Sequence, residues 1–138
     1  MTTHPYLRAY MAGVTVPSVV LLLIIAVLYG IRFAYNPEFP IERILVFPLA
    51  LVPAIWGVWN VVYLAMHTRR YIPLGVHGAI IPLFLAPIAL ATARALDIDL
   101  ALTATLPVIA SGIPLAMIAY YLVWKYVVGF LNEMLGIA

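Results

Sequence analysis

The chain has no cysteine and little charge: only 9% of its 138 residues are Asp, Glu, Lys or Arg. The missing cysteines exclude disulfides, thiolate nucleophiles and cysteine-ligated metal or iron–sulfur centres. The scarcity of charge excludes a nucleic-acid partner, because no stripe of Lys and Arg exists to neutralise phosphates. No Asp or Glu lies in the middle of any long apolar run, so the carboxylate relay of a proton pump is missing. Neither HExxH nor GxSxG nor a P-loop occurs, and Ser111 has no histidine at its depth to activate it. Nothing in the sequence builds an enzyme.

What fills the chain is hydrocarbon. Hydrophobic residues make up 67% of it, with a mean hydropathy of +1.14. Soluble domains are about half apolar and about a quarter charged. A soluble fold of this length could not bury so much apolar surface, whereas a bilayer is itself an apolar solvent. The charges punctuate the runs. Uncharged stretches of 23, 25, 23 and 25 residues separate Arg8 from Arg32, Arg43 from Arg69, Arg70 from Arg94 and Asp99 from Lys125. A helix needs about 20 residues to cross the hydrocarbon core, so each stretch suffices for one crossing. Strand alternation is absent, and four segments cannot close a barrel.

The expected fold is therefore an all-α integral membrane bundle of four transmembrane helices in one domain, residues 1–138. The helices are expected over 12–33, 44–66, 77–95 and 100–124, several of them proline-kinked. The first stretch is too long for a signal h-region and is expected to be retained. Arg8, Arg69, Arg70 and Lys125 on one side outnumber Arg32, Arg43 and Arg94 on the other. By the positive-inside rule both termini then lie inside. The protein is expected to be a multi-pass protein of a cell membrane, the inner one where there are two.

Prolines are frequent, at Pro17, Pro48, Pro53, Pro82, Pro87, Pro107 and Pro114 within the expected spans. "FPLALVP" at 47–53 and "IPLFLAP" at 81–87 repeat at a spacing of 34. That is either a trace of an inverted repeat or a coincidence of Pro/Leu/Ala segments. Small residues suggest where helices approach. Ala86, Ala89 and Ala93 are expected to meet Ala104, Val108, Gly112 and Ala116.

One polar stripe stands out. Trp56, Asn60, Tyr63 and His67 share a face of the second helix by helical spacing. The stripe ends beside Arg69 and Arg70, and His77 opens the next helix. Asn60 lies about 13 Å below the rim at ~1.5 Å per residue, where an amide needs a partner. Ser18, Tyr120 and Tyr121 are at its depth and are the expected partners. The candidate polar or lipid site is thus Asn60, Tyr63, His67, Arg69, Arg70 and His77. An ordinary interface belt of Trp, Tyr and His, with Arg69 and Arg70 as a topology signal, would give the same residues.

Three functional readings follow. One is a non-catalytic subunit or self-assembling component of a membrane complex, a homo-oligomer or bound to partner membrane subunits, whose basic cytoplasmic rim holds anionic membrane lipid. Another is a small oligomeric transporter or channel that uses the polar face of the second helix. The last is a membrane anchor binding haem or quinone through His67 and His77. Apart from that haem, no cofactor or metal is expected.

Overall fold

The structure, a computed structural model, describes residues 4–35, 41–46, 49–67, 72–95 and 106–137. It is all-helical, with no strand among the described residues. Helix α1 spans Pro5–Tyr35, α2 Ile41–Val46, α3 Val52–His67 and α4 Leu74–Ala95. Helix α5, Leu106–Leu122, continues through a π-helical stretch, Val123–Val128, into α6, Gly129–Met134. Four helical stretches, Pro5–Tyr35, Leu49–His67, Leu74–Thr92 and Ser111–Met134, are long and apolar enough to cross a membrane.

These bounds differ from the expected ones for identifiable reasons. Helix α1 starts at Pro5, earlier than 12, because proline suits the first helical position, where an N–H would have no partner. The span expected over 44–66 is divided. A 3-10 turn at Leu49–Leu51 precedes α3, and Pro53 lies in the first turn of α3. Proline removes an N–H and disfavours helical backbone just before it. Pro82 and Pro87 instead lie inside a continuous α4, so the shared "P-L" pattern does not give a shared local structure. Pro48 lies outside the described residues.

The last helical run does not end at 124 as expected but continues through Lys125 to Met134. Lys125 does not stop the helix, because its ammonium lies over the rings of Tyr121 and Tyr126, 5.8 and 5.1 Å from their centroids. The helix closes instead on Gly136, at φ 66°. The Gly136 N–H donates to the Glu133 carbonyl at 3.0 Å and the Ile137 N–H to the Asn132 carbonyl at 2.9 Å. This left-handed glycine cap satisfies carbonyls that would otherwise be left open.

Packing is concentrated at the end where the chain termini meet. There the Arg8 guanidinium donates to the Leu135 carbonyl at 3.2 Å. Helix α1 crosses α3 closely: a Cβ on Gly13 would lie 2.5 Å from the Trp56 carbonyl oxygen and 2.9 Å from the Gly57 Cα. Pro17, one turn on, removes the N–H that would bond the Gly13 carbonyl. In the other half of the bundle, Gly75 lies against Tyr121, and Gly78 against Trp124. Trp56, Ile81, Trp124 and Val128 form the core between the two halves. Trp56 meets Tyr120 at 5.0 Å and Trp124 at 5.4 Å between ring centroids, inside the range where tilted aromatic pairs attract.

Helices α4 and α5 pack together as expected, but not through Ala89 and Gly112. Ala89 and Gly112 are exposed, and a Cβ on Gly112 would meet nothing within 4 Å. Close approach falls to Gly13, Gly57, Gly75 and Gly78 because those glycines sit at the closed end. Ala104 lies outside the described residues. Away from that end the helices expose large apolar side chains, including Val20, Leu22, Leu23, Val27, Leu115 and Ile118.

Candidate functional site

Asn60 faces inward and is fully buried, but its partners are not those expected from depth. Its amide nitrogen donates to the Ala9 carbonyl of α1 and to Asn132 Oδ1 of α6, both at 2.8 Å. The Asn132 amide donates back to Asn60 Oδ1 at 3.3 Å. Ser18, Tyr120 and Tyr121 are not among these partners. A last helix ending at 124 would place Ser18, Tyr120 and Tyr121 at the depth of Asn60, but the helix does not end there. With the helix continued to Met134, Asn132 is carried to α3. The π turn helps: it shifts the helical phase so that Trp124, Val128 and Asn132 are all buried. Trp124, Val128 and Asn132 are spaced four apart in sequence, a sign that the inward face persists beyond the lysine.

Further toward the termini, a cavity of about 400 Å³ opens among α3, α4 and α6. Tyr63 and His67 line it, together with Lys125, Asn132 and Glu133 from the last helix. His67 is exposed and Tyr63 half-buried, so the stripe on α3 grades from the packed Trp56 to open surface. Apolar walls come from Leu64, Pro73, Leu74 and Ile137. Gly129 has no side chain to fill the space beside Leu74.

His77 sits behind this wall and not in it. It is 4% exposed. Its ring meets Tyr63 edge-on at 5.2 Å and Trp59 at 6.3 Å, and Tyr63 also meets His67 at 5.2 Å. One tyrosine ring therefore touches both imidazoles. The His77 carbonyl accepts a hydrogen bond from Trp59 Nε1 at 2.9 Å, while its own Nδ1 is buried without a partner among the described residues. No group of three or more His, Cys, Asp or Glu side chains suited to a metal ion occurs among the described residues.

Of the expected site residues, Tyr63 and His67 are brought together at the cavity. Asn60 is joined to it through Asn132, and His77 is joined through Tyr63. Arg69 and Arg70 lie outside the described residues, two and three positions after His67 in the chain. Lys125, Asn132 and Glu133 all lie beyond the span expected to end at 124, so local spacing gives no reason to place them at this site. At the opposite end Arg32 is paired with Glu42, which occupies the first turn of α2 as expected for a carboxylate. The Glu42 carboxyl is held below its ordinary value, first by its own backbone N–H and then by the Arg32 guanidinium. Comparison with protein-family profiles, curated proteins and solved structures gives no match.

Proposed function

We propose that the chain is a non-catalytic, multi-pass membrane component that holds a phospholipid head group at its closed end. The observation that carries this reading is the cavity lined by Tyr63, His67, Lys125, Asn132 and Glu133, set at the ends of helices long enough to cross a membrane. The exposed apolar side chains along those helices suit an acyl-chain environment and would be an aggregation hazard in water. The first turns of α1 and the end of α6 lie at the cavity end. Arg8 and Lys125 lie there, and Arg69 and Arg70 stand two and three positions after His67 in the sequence; this basic charge supports a cytoplasmic orientation for that end. Basic pockets between helices on that side are suited to lipid phosphate.

Native mass spectrometry of the full chain released from lipid nanodiscs tests this. Wild type is expected to retain phospholipid. A variant with His67, Arg69, Arg70 and Lys125 all changed to Ala is expected to lose it. Equal retention by the two would overturn the reading. The same spectra report copy number and co-purifying subunits, and we read the chain as an assembling subunit.

A second reading rests on His77. Its buried, unpartnered Nδ1 is a group that a quinone carbonyl, through the protonated nitrogen, or a haem iron, through the free lone pair, could engage. Trp59 and Tyr63 already pack its ring, which favours the smaller contact with a carbonyl. An absorbance spectrum and a solvent extract of the purified protein test it. A Soret band or a stoichiometric quinone would support it, and the lack of both would end it.

A further inference from the structure

We propose that the cavity selects a head group carrying both a phosphate and a primary ammonium, as in phosphatidylethanolamine, and that Glu133 supplies the selection. This rests on reading the cavity as a head-group site.

Lys125 and Glu133 carry opposite charges, line the same cavity and are both exposed. Among the described residues they pair neither with each other nor with any other charge; the ion pair there, Arg32–Glu42, is at the far end. They stand eight residues apart on one helical run, about 12 Å along the axis at ~1.5 Å per residue. That is beyond the three- or four-residue spacing at which side chains on a helix ordinarily pair. Between them the wall is formed by Gly129, which leaves room, and Asn132, whose amide is already engaged with Asn60. The stacking of Lys125 over Tyr121 and Tyr126 limits its freedom to swing toward Glu133.

The occupant that satisfies both charges must be a zwitterion. Its phosphate would meet Lys125 and His67, and its ammonium would donate N–H bonds to the Glu133 carboxylate. Charge-assisted bonds of this kind are stronger than neutral ones. A purely anionic head group would place negative charge before Glu133. A quaternary ammonium would balance the charge but bring no N–H to the carboxylate. Glu133 thus changes the expectation of a simply anionic lipid that the basic residues alone suggest.

The test is competition for the delipidated full chain in detergent, read by native mass spectrometry. The probes are phosphatidylethanolamine, phosphatidylglycerol and phosphatidylcholine of matched short chains, with soluble phosphoethanolamine and inorganic phosphate as competitors. Wild type should retain the ethanolamine lipid over each of the others by about fivefold, the scale of one partly exposed charge contact. Glu133→Gln should bring the preference over phosphatidylglycerol close to unity. Lys125→Gln should weaken both of these lipids. Phosphoethanolamine should displace lipid at lower concentration than inorganic phosphate, which separates the shared head-group chemistry from phosphate alone. An unchanged preference in Glu133→Gln, or equal competition by the two soluble ligands, would overturn the proposal. Retention of no lipid by wild type would overturn the head-group reading itself, a different result from retention without preference. Circular dichroism of the variants guards against misfolding, and both substituted side chains are exposed.

Discussion

Asn60 and Asn132, 72 positions apart in the chain, face each other as a reciprocal amide pair with N–O distances of 2.8 and 3.3 Å. Both side chains are essentially without solvent exposure. The pair joins α3 to the last helix, and the Ala9 carbonyl ties α1 to the same point. Three helices thus share one polar contact inside an apolar bundle, directly beneath the cavity.

Removing one member leaves the other amide buried and unsatisfied. Asn60→Ala or Asn132→Ala should each destabilise the protein by about 1–2 kcal/mol. A double-mutant cycle should give a coupling of about 0.6 kcal/mol, up to ~1.7. Thermal unfolding in detergent checks this, and strictly additive losses would show that the two amides do not interact.

Gly13 and Gly57 lie where α1 crosses α3 closely. Gly13→Leu should be strongly destabilising, because its Cβ would meet the backbone of α3, and backbone cannot rotate away; overpacking of this kind costs about 1–3 kcal/mol or more. Gly112→Leu, facing open space, should leave the melting temperature close to wild type. The same melting assay with both variants decides whether packing is concentrated at the closed end.

The Arg32–Glu42 pair gives a pH dependence with a definite sign. The carboxyl of Glu42 is lowered from 4.5 in the folded chain, by its own backbone N–H foremost and by Arg32 next. Its contribution is therefore complete above that unfolded value and is lost as pH falls through the lowered folded value. Both side chains are more than a third exposed, so the contribution is small. An NMR titration of the Glu42 carboxyl should show a midpoint below the ordinary one. Arg32→Gln should raise that midpoint only part of the way, since the backbone N–H stays.

The contact of Arg8 with Leu135 puts the start of α1 and the end of α6 at one end of the bundle. Cysteines at His4 and Met134 should react with an impermeant maleimide from the same side of a sealed membrane, and a cysteine at Tyr35 from the other. With the proposed orientation, the first two react only in inverted vesicles. Labelling of His4 and Tyr35 from one side would contradict a membrane crossing by α1.

The polar stripe on α3 was readable in the sequence because it is local: Trp56, Asn60, Tyr63 and His67 lie within one helix, and 3.6-residue spacing alone aligns them. The inward direction of Asn60 was readable too, since an amide at that depth needs a partner. The partner itself was not. Asn132 is brought to Asn60 by a helix that continues through Lys125, a residue whose charge marks a membrane boundary only when its side chain cannot reach polar or aromatic cover. In the same way, the small residues of α4 and α5 indicated that close packing occurs but not where. Gly112 and Gly13 look alike in sequence, and only the neighbour they meet distinguishes them.

Composition and charge spacing alone determined that the chain is helical and contains four stretches long and apolar enough to cross a bilayer, because the solvation cost of backbone and charge depends on sequence directly. The tertiary structure decided which end of the bundle closes, which amide answers Asn60 and which charges share the cavity with His67. Those depend on helix length past Lys125, on the phase shift of the π turn and on crossings permitted by Gly13 and Gly78. Each is a relation between segments distant in the chain, and no local pattern carries it.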